Sequence, residues 1–218
     1  MVQKVRLRRK DIKQPDEFHT LSGQALTWIR GHQQLVTWLG AGLLAIVVAI
    51  GIATAYRNAR VRDANADLAR ALNKFGASDY AAASTELIDL SNRWEGTSVA
   101  PVAALLGANA AISAGDADKA IAQLTRVEGE SANLPPYLQQ QLLLVWGVAL
   151  EAKQQWLDAA AKYKAAAALT GPYTGAAVLG EARTRELGGE MDRARELYRQ
   201  AYDQFPDLPS RDLIAAKM

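Results

Sequence analysis

Between Leu35 and Tyr56 the chain reads LVTWLGAGLLAIVVAIGIATAY, 22 residues without a charge. At about 1.5 Å rise per residue, a helix over this run is roughly 33 Å long, enough to cross a hydrocarbon core of about 30 Å. Trp38 near one end and Tyr56 at the other suit the two membrane interfaces, where an apolar ring with a polar edge is most comfortable. Arg57, Arg60 and Arg62 then stop the run abruptly. A buried core helix is the competing use of such a stretch, but its length and aromatic ends fit a bilayer better. Ala53-Thr54-Ala55 resembles a signal-peptide cleavage site, yet the polar region in front and the apolar run itself both exceed the usual signal dimensions. The stretch therefore reads as one transmembrane anchor in contact with lipid, bounded by Leu35, Trp38 and Tyr56.

The anchor divides the charge unevenly. Residues 1–34 carry seven Lys/Arg against three acids, while residues 57–218 carry eighteen against twenty. A body that is slightly acidic, with no basic stripe, lacks the footprint that binds phosphate backbones, so nucleic acid is not an expected partner. The chain has no cysteine, which excludes disulfides, thiolate metal sites and a cysteine nucleophile. Its two histidines, His19 and His32, both precede the apolar run, so the body lacks the commonest metal ligand and general base. No cofactor or metal site is expected.

Two orientations are consistent with these charges. Six basic residues fall within the first 13 positions, and translocating such a free tail is expensive. That favours a cytoplasmic N-terminus. Arg57, Arg60, Arg62, Arg70 and Lys74, just beyond the run, favour the opposite arrangement.

After Arg57 the chain is rich in Ala, Leu, Glu, Gln, Lys and Arg without alternating apolar positions, a helical composition. A unit recurs within it: a helix, a short turn, then a second helix that opens on a small residue. An aromatic or Leu follows four positions later, and another small or aliphatic residue three after that. GGEMDRARELYRQAYDQFPD carries Ala194, Tyr198 and Ala201, with Pro206 ending the helix. LLLVWGVALEAKQQWLDAAAKYKAAAAL carries Leu143, Trp146, Gly147 and Leu150, then Ala159, Tyr163 and Ala166. AISAGDADKAIAQLTRV carries Gly115, Ala120, Leu124 and Val127, and a fainter copy, DYAAASTELIDL, carries Ala83, Leu87 and Leu90. The leading residues Ala83, Ala120, Ala159 and Ala194 are spaced by 37, 39 and 35.

A small residue where two antiparallel helices cross lets their backbones approach, and the large residue one turn on fills the space beside it. The expected architecture is all-α: one N-terminal transmembrane helix followed by an α-solenoid of about four helix pairs. Its layout is a basic tail over residues 1–34, an anchor over 35–56 and a repeat domain over 57–218. Trp146, Trp156, Tyr163 and Tyr198 are expected in packing roles, and Asp79, Asp116 and Asp158 as helix caps or dipole partners. A hydrolase using paired carboxylates has only the abundance of Asp and Glu in its favour; nothing in the sequence places two on one face. Phosphate loops, G-x-S-x-G and H-E-x-x-H motifs are absent. The polar loop EGESANLPPY, residues 128–137, reads as a spacer or a contact loop.

The repeat pattern resembles the tetratricopeptide repeat, W-x2-L-G-x2-Y…A-x3-F…P with a period of about 34. One span running into RNARVRDANADLARALNKF, and then into LLGANAAISAGDADKAIAQL and GEARTRELGGEMDRARELY, resembles the bacterial family of the ancillary Sec-translocon subunit. That resemblance implies a non-enzymatic adaptor of the bacterial inner membrane, with a cytoplasmic tail and a periplasmic repeat groove that binds protein partners near the translocon and its folding factors. The tail is longer than such a family leads one to expect. A cytoplasmic-facing adaptor is the alternative, and homo-oligomerisation is left open.

The tail contains RRKDIKQPDEFHTL, similar to runs that head other membrane-anchored repeat proteins. Pro15 followed by Asp16 and Glu17 is a helix-start signal. From there Phe18, Leu21, Ala25, Trp28 and Ile29 recur at three- and four-residue steps and would share one face. Such a helix could lie on the membrane surface, with Gly31 as a hinge into the span and Lys4 to Lys13 near anionic headgroups. A disordered tail that only holds orientation is the alternative.

Overall fold

The computed structural model describes residues 28–129, 134–209 and 211–218, and among them every regular element is a helix. In chain order these are α1 (Gln33–Gly76), α2 (Tyr80–Arg93), α3 (Val99–Ser113), α4 (Ala117–Glu128) and α5 (Pro136–Ala152). Then follow α6 (Trp156–Ala167), α7 (Thr174–Leu187), α8 (Met191–Gln204) and the short α9 (Arg211–Ala215). The chain divides into two compact units between Tyr56 and Arg57.

In the first unit, α1 is the helix long and apolar enough to cross a membrane, and its apolar window is unburied. Leu35, Trp38 and Tyr56 are all exposed, Trp38 at 79%. A water-soluble fold would cover such a surface, so this one needs a lipid or protein neighbour. Trp28 to Gly31 are helical and the turn falls at His32. The backbone bonds continue across it, His32 donating to the Trp28 carbonyl and Val36 to the His32 carbonyl at 3.0 Å each, and the His32 ring stacks on Trp28. Trp28 and Ile29 are exposed. Phe18 and Leu21 lie outside the described residues.

The second unit is built by one turn used four times. Ser78, Gly115, Gln154 and Gly189 all have positive φ, between 59° and 86°. Each stands five positions before a leading alanine. The residue after each donates its N–H back five positions along the chain: Asp79 to Lys74, Asp116 to Ala111, Gln155 to Leu150 and Glu190 to Arg185, at 2.8–3.1 Å. This left-handed helix end caps the last free carbonyls and sends the chain back antiparallel. The second helix then starts at once, Ala83, Ala120, Ala159 and Ala194 each donating to the residue four before. Asp79 and Asp116 cap the amides of Ala82 and Lys119 at 3.2 and 3.0 Å. Asp158 makes no such cap: Gln155 holds that position and Asp158 sits in the first turn of α6, where its charge meets the positive end of the helix dipole.

The pairs are therefore the Arg57–Gly76 part of α1 with α2, α3 with α4, α5 with α6, and α7 with α8, while α9 is a short closing helix. Neighbouring pairs touch chiefly where the second helix of one meets the first helix of the next, α2 on α3, α4 on α5 and α6 on α7, and also through their first helices, α3 on α5 and α5 on α7. The leading alanines are buried to within 2% of complete, and Leu87, Leu124, Tyr163 and Tyr198 beside them to within 6%. Three core clusters follow the pairs: Ala64, Ala71, Leu87 and Ala103; then Ala108, Leu124, Trp146 and Tyr163; then Val178, Leu197, Tyr198 and Ile214. Each leucine so buried stabilises the fold by about 1.5–3 kcal/mol relative to exposure.

Candidate functional site

The first helices α3, α5 and α7 carry more of the buried residues than their partners do, and the side chains they leave partly open line a groove. It contains two depressions. One, of about 290 Å³, is lined by Leu105, Asn109, Gln141, Leu144, Val145 and Tyr173, among others. The other, of about 270 Å³, is lined by Leu144, Val148, Ala176, Leu179, Gly180 and Leu208, together with Arg183 and Pro209. Leu144 belongs to both.

The two depressions are one depression repeated. Adding 39 to Leu105 and Asn109 on α3 gives Leu144 and Val148 on α5. Adding 35 to Gln141, Leu144 and Val145 on α5 gives Ala176, Leu179 and Gly180 on α7. The lid repeats as well, since Tyr173 becomes Leu208. These offsets are those between successive leading alanines, so each first helix presents the same positions to its neighbour.

Buried polar groups set the walls. Gln140 is wholly buried and its amide Nε2 donates to the carbonyls of Ala166 and Leu169 and to the Thr174 hydroxyl, each at 3.1 Å, while its Oε1 accepts from the Tyr173 amide at 3.0 Å. One side chain thereby satisfies the loop between α6 and α7 and holds Tyr173 over the groove. Gln141 Nε2, 2.6 Å from the Tyr173 hydroxyl, completes the placement.

Among the described residues, Arg183 is the one charged side chain lining either depression. Its guanidinium is engaged twice by Glu151, at 2.6 and 3.1 Å, a bidentate pair across neighbouring first helices. The bond to Glu151 raises the Arg183 pKa. The Tyr163 hydroxyl donates to the same carboxylate. Burial, reinforced by that carboxylate, pushes the Tyr163 phenol up, so it stays a protonated donor. One pair later Tyr198 donates to Glu186 at 2.7 Å and Lys217 completes the set. Lys217 first, and Tyr198 second, hold the Glu186 carboxyl below its ordinary range. These carboxylates are tied to phenols within their own pair and to cations from the next pair or the C-terminal end, which leaves them poorly placed for acid–base chemistry.

A larger depression of about 430 Å³ lies against α2 and the Arg57–Gly76 part of α1, lined by Asp67, Arg70, Lys74, Glu86, Asp89 and Arg93. Here the charges neutralise one another. Lys74 meets Glu86 at 2.6 Å, Arg93 meets Asp67 at 3.5 Å, and Arg70 also pairs with Asp67. The Trp94 indole donates to Asp67 at 2.9 Å and is the main reason that carboxyl titrates below its ordinary value. Alternating signs offer no ligand a coherent field. Among the described residues no group of three His, Asp or Glu could hold a metal ion.

The residues expected to matter from the sequence, Ala83, Ala120, Leu124, Trp146, Gly147, Ala159, Tyr163, Ala194, Tyr198 and Ala201, all lie in the interior. Pro206 follows the end of α8 and is exposed. They build the pairs and do not line the groove, Tyr163 excepted. The groove residues Leu105, Leu144, Val148 and Leu179 were not singled out from the sequence. Their signal is the recurrence of aliphatic residues at the alanine offsets, hidden because core positions of the same helices are aliphatic too.

Stacked helix pairs with an apolar first-helix groove define a helical-repeat protein, a class that presents extended surfaces to other proteins. The chain matches the family model of the tetratricopeptide repeat-like domain over residues 27–218, and it belongs to that family. Domains of this kind mediate protein binding, and the chain is a protein-interaction module built on that plan. No curated protein and no solved structure matches it.

Proposed function

We propose that the chain is a non-enzymatic scaffold of the bacterial inner membrane. Residues 35–56 anchor it in one pass, residues 1–34 form a basic cytoplasmic tail with a juxtamembrane amphipathic helix, and residues 57–218 display the repeat groove to the periplasm. The groove takes up a protein partner. The observation that carries this reading is the apolar lining formed by Leu105, Leu144, Val148 and Leu179, with its lone cation, Arg183, already paired to Glu151. Such a surface gains free energy by losing water to another chain.

The likeness to the ancillary translocon family favours an occupant met at the Sec translocon, either an emerging client or a periplasmic folding factor. A photo-crosslinking amino acid at Val148 in native membranes tests this. Adducts with translocon components, clients or folding factors are the expected result, and adducts with none of them remove the translocon assignment. The basic residues from Arg57 to Lys74 support a second reading, a cytoplasmic-facing adaptor. A C-terminal fusion to an enzyme active only in the periplasm separates the two, since activity there excludes the cytoplasmic arrangement.

A further inference from the structure

The basic residues that follow the apolar run fall into two groups. Residues 57–62, RNARVR, hold three arginines and no acid, whereas residues 63–76 balance Asp63 and Asp67 against Arg70 and Lys74. Arg70 is paired with Asp67 and Lys74 with Glu86. Among the described residues Arg57, Arg60 and Arg62 pair with no carboxylate. We infer that Arg57 and Arg60 bind the phosphodiester headgroup of an anionic glycerophospholipid, and that Trp94 holds Arg60 ready for it. This inference rests on the reading of residues 35–56 as a membrane anchor and is independent of which leaflet the arginines meet.

Depth along α1 comes first. Tyr56 ends the apolar run, and the helix continues past it without a break. At about 1.5 Å per residue, Arg57 and Arg60 follow it by about 1.5 and 6 Å, which keeps both within a headgroup layer of about 5–8 Å. Arg62, about 9 Å on, lies past that layer. Arg57 and Arg60 are also one turn apart on one face, with β-carbons about 5–6 Å from each other, so both guanidinium groups reach one phosphate. Arg62, two residues beyond Arg60, points elsewhere around the helix.

Trp94 supplies the preorganisation. The Arg60 guanidinium lies over its indole ring, 5.7 Å from the centroid. The ring is fixed in turn, because its N–H donates to Asp67 at 2.9 Å and Arg70 and Arg93 hold that carboxylate. A guanidinium resting on a ring face keeps its N–H edge free for a phosphate. Tryptophan is itself a residue of membrane interfaces.

Charge selects the lipid. A zwitterionic headgroup brings the same phosphate with its own cation attached, whereas an anionic one leaves the phosphate to the arginines. Each basic residue near the surface favours anionic lipid by about fivefold. Asp63, the first acid on α1, is exposed and follows Arg62, past the headgroup layer.

The test uses the full chain in detergent micelles, titrated with phosphatidylglycerol or phosphatidylcholine and followed by native mass spectrometry. Phosphatidylglycerol binds about tenfold more tightly than phosphatidylcholine. Arg57→Gln and Arg60→Gln each weaken it about fivefold, while Arg62→Gln changes it by less than about twofold. Trp94→Leu weakens it as Arg60→Gln does and adds nothing to that variant, whereas Trp94→Phe, which retains a ring face, retains binding. Helical circular dichroism accompanies every variant, and the arginine variants decide the matter if Trp94→Leu unfolds.

Equal binding of the two lipids overturns the inference. So does an equal loss with Arg62→Gln, which marks diffuse charge without a site, or displacement of the lipid by an equal concentration of inorganic phosphate, which marks a site for free anions. Alkaline extraction of the chain from phosphatidylcholine vesicles separates this failure from failure of the anchor reading. Release from the vesicles removes the anchor and the inference together, and retention without lipid preference removes the inference alone.

Discussion

The ring of Tyr163 on α6 lies against Gly147 on α5, so closely that a β-carbon on that glycine would sit 2.6 Å from the tyrosine Cζ. Gly180 on α7 makes the same approach from the next pair, at 2.8 Å from Cδ1. One aromatic ring thus serves as the spacer between two first helices, and its hydroxyl ends on the carboxylate that braces them.

Alanine at Gly147 or Gly180 forces that ring to move. Each substitution is expected to cost about 1–3 kcal/mol, the usual penalty of overpacking, and to lower the melting temperature by several degrees. Thermal unfolding followed by circular dichroism measures it. Coupling between the two is expected in a double-mutant cycle, because both act on Tyr163.

Acid stability should depend on Glu186. Its carboxyl titrates below the ordinary value of 4.5, chiefly through Lys217 and next through Tyr198. A carboxylate depressed in the folded state contributes stability that is fully present above the unfolded value and is lost as pH falls through the folded one. Lys217→Met is therefore expected to lower the melting temperature at neutral pH and to match the unmodified chain once the carboxylates are protonated. Carboxyl-carbon NMR of Glu186 should show its titration moving up towards the ordinary value in the variant.

Gln140 is buried without exposure and serves two carbonyls, a hydroxyl and an amide. Gln140→Ala leaves the Tyr173 amide without its partner, at a cost of about 1–3 kcal/mol, while the Leu169 carbonyl keeps the Thr174 hydroxyl and the Ala166 carbonyl keeps the Leu169 amide. Faster amide exchange at Tyr173, measured by hydrogen–deuterium exchange, is the local signature. Unchanged exchange there would show that the loop holds itself.

Two of the four repeated turns place a side chain in the left-handed region, Ser78 at φ 63° and Gln154 at φ 59°. Left-handed backbone costs an ordinary residue roughly 1–2 kcal/mol, offset in part by the extra unfolded-state freedom of glycine, roughly 0.5–1 kcal/mol. Ser78→Gly and Gln154→Gly are each expected to stabilise by about 0.5–1 kcal/mol, following the precedent of Gly115 and Gly189. Denaturant unfolding midpoints measure the gain.

Much of this architecture is legible in the chain itself. Helix, turn and packing positions depend on local chemistry: 3.6-residue periodicity, a small residue at a crossing and a residue that tolerates the left-handed turn. The unbroken run from Leu35 to Tyr56 dictates a long apolar helix for the same reason, since its composition alone decides which solvent it can face. Even the faint first copy, DYAAASTELIDL, has the same turn and buried triad as the clearer ones.

The groove is different. Leu144 and Leu142 are both leucines on α5, yet the first lines two depressions and the second is 1% exposed in the core. No local property distinguishes them; the angle at which α5 meets α3 and α7 does. The Glu151–Arg183 pair and the four bonds of Gln140 likewise join residues some 30 positions apart, through helices that must stack before the partners meet. The sequence by itself determined which segments are helices, where they turn and which small residues lie between them, because those outcomes follow from interactions within a few residues. The tertiary structure alone decided which aliphatic residues were left uncovered and which charges were already paired, because burial and pairing belong to the stack and not to any one helix.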